Sequence, residues 1–400
     1  MPTFSYVAKL EDGRRVTGSL EAASDQAVLE ALHQKGLVVI NVKKAKGYPR
    51  GGRRRRVGMD DLAIFARQMA TLVDAGIPIV GGLEALADQL ENRGLQEVVN
   101  KVREAVEGGT DLTAAIAQQS AVFSPLFVSM VKAGEASGHL AEVLERLATY
   151  LEKSATLQRK VKSACIYPGI ITTMAFIITS ILILKVIPAF KDMFATLGAQ
   201  LPLPTRILIA VSDFAQMAFI PLVGCAFLGV FLFRRALKTR PGRLLFDRFL
   251  LKLGVIGPIV RKVAIARFSR TLSTLVKSGV QILAALEIVA ETSGNLVVAD
   301  AILQAKTSIR EGQNIAGPLT ASGVFPPMVC RMISVGEQTG RLDDMLTKVA
   351  EFYEEQVDTA ISGLMSAIEP IIIAVLGVIV GSIVASIFLP IFKLTELVSH

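Results

Sequence analysis

FARQMATLVDAGIPIVGGLEAL, Phe65 to Leu86, returns as FSRTLSTLVKSGVQILAALEIV, Phe268 to Val289. After a one-residue deletion the register holds to the end of both copies. GEASGHLAEVL from Gly134 is matched by GEQTGRLDDML from Gly336, Tyr167-Pro168 faces Glu369-Pro370, and Pro188 faces Pro390. Self-similarity over this length marks two copies of one structural unit. Inside each copy the apolar residues step at helical spacing: Leu140, Leu144, Leu147 and Leu151, then Leu342, Leu346, Val349 and Tyr353. One face of a long helix is therefore buried in each. Gly76 and Gly279 end an earlier apolar run as C-terminal caps. Asp60 or Asp61 opens that run in the first copy by accepting orphan amide hydrogens, and Pro125 and Pro327 sit where a further helix begins. Five or six helices per copy follow.

Three stretches are free of charge for long enough to cross a bilayer: Ser163 to Leu184, Phe214 to Phe233 and Pro370 to Phe392. Each supplies the about 20 apolar residues that a hydrocarbon layer roughly 30 Å thick requires. The mean hydropathy of +0.51 agrees that part of the 400-residue chain sits in lipid. Basic residues set the direction. Arg234, Arg235, Lys238, Arg240, Arg243, Arg248 and Lys252 follow the second span, whereas only Lys185, Lys191 and Arg206 lie between the first two. The long connection is thus cytoplasmic and the short one external. The start lacks a charged leader followed by an apolar run, so the N-terminus is expected inside and the C-terminus outside.

The expected organisation is a mainly α integral membrane protein with two repeated cytoplasmic helical-bundle domains, three transmembrane helices and a small N-terminal α+β module. That module covers 1–46, with a hairpin turning at Asp12-Gly13, a helix over Asp25 to Lys35 and a strand at Leu37 to Val42. A basic linker, 47–59, holds four consecutive arginines, Arg53 to Arg56. It reads either as a solvated charge run or as a segment drawn to the inner leaflet or an acidic partner. The first helical domain is 60–162, the first span 163–189, a short external loop 190–207 and the second span 208–234. A basic connector, 235–262, leads to the second helical domain, 263–366, the third span, 367–392, and an external tail, 393–400.

Lys and Arg number 43 against 35 Asp and Glu, a net charge of +8 that suits anionic headgroups or an acidic partner. Nucleic acid is disfavoured, because no basic patch is interleaved with aromatics and Trp is absent. No G-x-x-x-x-G-K-[ST] phosphate loop or G-x-S-x-G elbow occurs. His33, His139 and His400 are too scattered for a triad or a zinc protease, and Cys165, Cys225 and Cys330 form no C-x-x-C pair. No catalytic, cofactor-binding or metal-ligating residue is expected. No ionisable residue sits near the centre of a span, which leaves a membrane transporter as a remote alternative. Gly377 and Gly381, in GVIVG, read either as a close helix-packing seam or as the general excess of glycine in membrane helices. Glu135 and Glu337, each inside G-E-x-[ST]-G, are acidic in both copies; a carboxylate there could cap a helix, bind a cation or pair with a basic partner.

The doubled F-[AS]-R-[QT]-x-[AS]-T-L pattern, the doubled G-E-x-[ST]-G, Tyr167-Pro168 and the closing LPIFKL, Leu389 to Leu394, carry a resemblance. Over essentially its whole length the chain resembles the family of type II secretion F proteins and type IV pilus platform proteins. VIPAFKDMFATLGAQLPLPTRI and RKVAIARFSRTLSTLVKSG resemble the pilus branch, with the secretion branch as the alternative. The resemblance implies a non-enzymatic hub in the bacterial inner membrane. Its cytoplasmic domains would dock against a hexameric assembly ATPase and, in some pilus systems, a retraction ATPase. Its membrane part would meet pilin stems and inner-membrane alignment proteins, and the chain would form a homo-oligomer. The same resemblance places Arg67 and Arg270 in the basic position of the first-helix motif, and Glu135 and Glu337 in the acidic position of the second, holding domain geometry or partner contacts.

Overall fold

A computed structural model describes residues 3–9, 15–21, 29, 38–44, 57–188 and 203–398. The chain divides into two compact units, Met1–Val57 with Leu90–Glu97, and Gly58–Gln89 with Val98–His400. In the smaller unit, β1 (Thr3–Lys9), β2 (Arg15–Glu21) and β3 (Val38–Lys44) form an antiparallel sheet in the order β2-β1-β3. β1 and β2 pair from Thr3↔Glu21 to Lys9↔Arg15, and the β1–β3 ladder slips between Val7 and Ala8. The Asp12-Gly13 turn, all of the Asp25 to Lys35 helix except helical Leu29, and the arginine run lie outside the described residues.

The first copy is a run of six helices: α1 (Met59–Asp74), α2 (Ile79–Gln89), α3 (Arg93–Glu107), α4 (Leu112–Ala117), α5 (Pro125–Ser137) and α6 (Leu140–Ile181). The second copy repeats them as α9 (Ile256–Lys277), α10 (Ile282–Thr292), α11 (Leu296–Arg310), α12 (Ala316–Ala321), α13 (Pro327–Thr339) and α14 (Leu342–Val398). Between the copies lie α7 (Leu203–Leu237) and α8 (Arg240–Lys252). α1 is capped two residues before the first of the aspartates. Gly58 is its N-cap, and Asp61 reaches back to accept the Gly58 amide at 2.8 Å. Pro125 and Pro327 each occupy the first helical position, where a missing N–H costs nothing.

Each bundle closes on an aromatic centre. Phe123 packs on Phe127 with ring centroids 4.7 Å apart and on Phe65 at 6.0 Å; in the second copy Phe268 and Phe325 stand 4.7 Å apart. Burying one such ring contributes about 1.5–3 kcal/mol. The connector 235–262, read from its charge as a link, is largely helical: Thr239 caps α8 by accepting the Gly242 amide, and α9 starts at Ile256.

The helical bundles and the apolar segments share helices. α6 continues through Tyr167-Pro168 into a π-helical turn, Leu182–Val186, and α14 runs 57 residues through Pro370 and Pro390. At 1.5 Å per residue α14 is about 85 Å long, far more than a bilayer core needs. The prolines therefore do not mark helix ends. In lipid the backbone has no water to turn to, so a helix that loses one N–H stays helical. The π turn exposes a carbonyl, and the Ser212 hydroxyl on α7 donates to Ile183 O at 2.6 Å; Thr205 likewise donates to Ser386 O at 2.6 Å, tying α7 to α14. Among the described residues, two helical segments, Leu140–Val186 and Leu342–Ser386, are long and apolar enough to cross a membrane. Their most apolar windows are 0% and 6% buried. A core helix of a water-soluble fold would be covered, so an apolar surface left this open suits a bilayer.

Candidate functional site

The two G-E-x-[ST]-G motifs build the same joint. Glu135, near the end of α5, accepts the amides of Leu112 and Thr113 at 3.0 and 3.1 Å and the Thr113 hydroxyl, so its carboxylate caps α4. Glu337, near the end of α13, accepts the amides of Ile315 and Ala316 at 2.6 and 3.1 Å and caps α12. An anion at a helix N-terminus satisfies orphan donors and opposes the positive end of the dipole. Of the three readings left open by the sequence, helix capping is the one with partners in place. The last glycine of each motif, Gly138 or Gly340, takes φ of 74° or 69°, which ends one helix and turns the chain directly into α6 or α14. The first glycine, Gly134 or Gly336, is buried where the next helix passes. A Cβ there would lie 3.0 Å from Val143 Cβ in the first copy and 2.8 Å from Leu342 Cα in the second.

Arg67 and Arg270 form the second doubled feature. Arg270 on α9 grips Glu354 of α14 with both ends of its guanidinium, Nε to Oε1 at 2.9 Å and Nη2 to Oε2 at 2.8 Å. Arg67 on α1 does the same to Glu152 of α6, at 2.7 and 2.8 Å, and also donates to Glu145 and Thr149. Hydrogen bonds from Arg67 hold the Glu152 carboxyl below the usual carboxylate range, and Glu152 with Glu145 pushes the guanidinium up. The fork geometry specifies orientation as well as charge. Each clamp joins the first helix of a copy to its long membrane-directed helix. Glu152 and Glu354 were not singled out from sequence, although they are identical at matched positions of the repeat.

Gly377 and Gly381 are exposed, and an added Cβ at either would meet no atom within 4 Å. Among the described residues they seat no second helix. One further carboxylate is placed by the fold: buried Asp247 on α8 accepts the Leu296 amide at 2.7 Å and caps α11. In the first copy a cleft of about 520 Å³ opens between α1 and α6, with Asp74, Glu142 and Glu145 on its wall.

Partial burial pushes the Glu135 carboxyl up, but the hydrogen bonds from Thr113 and Leu112 outweigh it, and the net displacement is downward. A group depressed in the folded state stabilises above its unfolded value and loses that contribution as the pH falls. Because Glu135 is exposed, its contribution is about 0.5–1 kcal/mol. In thermal unfolding of the detergent-solubilised chain, Glu135→Gln should melt lower than the parent at pH 7. The gap should narrow as the pH drops below the ordinary value of 4.5. A gap that is constant down to pH 3 would show that the carboxylate charge is not what caps α4.

Comparison with known proteins follows the same doubling. The family described as Type II secretion system (T2SS), protein F matches residues 65–188 and again 268–390, and the description Type II secretion system protein F, N-terminal domain matches residues 1–43. A Type IV pilus assembly protein PilC of Thermus thermophilus is 43% identical over 405 residues, spanning 100% of both chains. The PilC of Myxococcus xanthus is 41% identical over 405 residues, covering 99% of this chain and 96% of the relative. A Type II secretion system protein F of Pseudomonas aeruginosa is 35% identical over 409 residues, again across 100% of each. One family pattern met twice along the repeat, with end-to-end identity to these relatives, makes the chain a member of the type II secretion system protein F family.

Proposed function

We propose that the chain is the non-enzymatic inner-membrane platform of a type IV pilus assembly machine. The observation that carries this reading is the 41–43% identity, over essentially the full length, to two proteins named for type IV pilus assembly, against 35% to the secretion relative. In this reading α7 is a third span beside the two apolar segments, because Phe214 to Phe233 carries no charge. The N-terminal strands belong to a small α+β module on the cytoplasmic side, both helical bundles face the cytoplasm and the tail after Phe392 is periplasmic. A hexameric assembly ATPase, and a retraction ATPase where one exists, would press on the bundles. α6 and α14, unbroken from bundle to span, would pass that displacement to pilin stems in the bilayer. Alignment proteins of the inner membrane and further copies of the chain complete the assembly.

Deleting the gene should abolish surface fibres while secreted enzymes stay at parental levels, and the tagged chain should co-purify with a cytoplasmic hexameric ATPase. Intact fibres with lost secretion would transfer the protein to the secretion branch.

A further inference from the structure

The two copies are alike in sequence but unlike in what covers them. Inside the chain, α6 of the first copy lies on α9 of the second. Tyr150 Oη and Thr271 Oγ1 are 3.1 Å apart, and the Arg146 guanidinium donates to the Lys277 carbonyl at the C-terminal end of α9. Along this side of α9 Thr271 and Ser278 are buried and Thr274 is partly so, while Arg267, also partly covered, lies against Gly294.

The repeat assigns a counterpart to each side of that contact, and both counterparts are bare. On α1 the positions matching Arg267, Thr274 and Ser278 are Ile64, Thr71 and Ala75, all exposed, with Ile64 at 56%. Gln68, matching Thr271, is only partly covered. On α14 the positions matching Arg146 and Tyr150 are Lys348 and Phe352. The Lys348 side chain is 69% exposed against 25% for Arg146, and Phe352 is 42% exposed. Ile64 and Phe352 are large apolar residues left open in the water-facing part of the fold, on the two faces that the other copy uses for packing.

From this the geometry points to a head-to-tail interface between chains: the Lys348–Phe352 face of α14 docks on the Ile64–Gln68–Ala75 face of α1 in a second copy, as α6 docks on α9 within one. Charge favours the match. In the internal contact a cation, Arg146, meets the negative end of α9. In the intermolecular one Lys348, whose present partner Glu351 is on its own helix, meets the end of α1. There Lys277 is replaced by exposed Asp74, at the mouth of the acidic cleft. A carboxylate in the last turn of a helix is unfavourable unless a cation answers it. An interface of unlike faces leaves one of each free on every pair, so it propagates until the assembly closes. This deepens the homo-oligomeric part of the proposed function by naming the surfaces.

The test uses two differently tagged full-length chains co-expressed in the membrane, with Cys165, Cys225 and Cys330 replaced by Ala. One carries Gln68→Cys and the other Phe352→Cys. A thiol cross-linker should yield a dimer bearing both tags, at least about ten-fold above either variant paired with its cysteine-free parent. A single chain carrying Tyr150→Cys and Thr271→Cys should cross-link internally and certifies the fold. Asp74→Lys should lower the dimer yield about ten-fold, and Lys348→Asp on the other chain should restore it. Absence of the mixed dimer while the internal pair closes overturns the proposal. So does a chain carrying both Gln68→Cys and Phe352→Cys that links only to itself. Fibre counts on the same cells separate the two readings: cross-linking without fibres leaves the interface standing and removes the pilus role.

Discussion

Gly336→Val should lower the stability of the solubilised chain by about 3 kcal/mol, and Gly336→Ala by less than half of that. Three terms decide the order. Any Cβ at this position lies 2.8 Å from Leu342 Cα, a backbone atom that no rotamer change can move aside. Overpacking of this kind costs about 1–3 kcal/mol, while alanine regains about 1 kcal/mol of helix propensity over glycine. Valine forfeits most of that gain and adds two methyl groups to the clash. The equivalent change Gly134→Ala should cost less than Gly336→Ala, because its nearest fixed atoms, Val143 Cβ at 3.0 Å and Leu140 Cα at 3.2 Å, stand a little further off and the propensity gain offsets more of the adjustment. Thermal unfolding of the three variants in one detergent checks the series. A Gly336→Val protein that melts with the parent, or a Gly134→Ala protein that melts below Gly336→Val, would show that the two joints are not packed as described.

The consequence for function follows from what the joint carries. Gly336 and Gly340 set the angle at which α14 leaves α13, and α14 is the helix that becomes the span. The Glu337 cap fixes α13 to α12 at the same point, so the motif ties three helices together at the start of α14, the helix that carries the apolar segment. Loosening it should uncouple bundle from span, with fewer fibres before any loss of membrane insertion.

Much of this was legible in the residues. The repeat, the helical stepping from Leu140 and Leu342, the glycine caps at Gly76 and Gly279 and the proline starts at Pro125 and Pro327 are local signals, and local hydrogen bonding determines them. The capping role of Glu135 and Glu337 could be named as one option, yet not its object, because the amides they hold lie 21 to 23 residues back along the chain. The partners of Arg67 and Arg270, 85 and 84 residues away, were invisible for the same reason. Charge and proline say little about where the helices run. The connector 235–262 stood out by its arginine and lysine, which carry no helical period, and Thr239 and Pro241 begin a helix within it. Pro168 and Pro370 stay inside unbroken helices, as expected of a backbone with no water to turn to.

Arg270→Ala should be the costliest change among the charged residues, about 2–3 kcal/mol, and should exceed Arg67→Ala by a clear margin. Arg270 and Glu354 are only 16% and 23% exposed, so removing the guanidinium leaves a carboxylate with little water to replace its two hydrogen bonds. Arg67 and Glu152, at 34% and 44%, are open enough for solvent to take over, which limits the loss to about 0.5–1 kcal/mol. Arg270→Lys should recover only part of the stability, since an ammonium cannot grip both oxygens. Adding Glu354→Ala to Arg270→Ala should restore about 1–2 kcal/mol by removing the stranded charge. That recovery separates a clamp from bulk packing: if the double variant is less stable than Arg270→Ala alone, the arginine contributes through the contacts of its aliphatic stem and the paired motif has lost its electrostatic explanation.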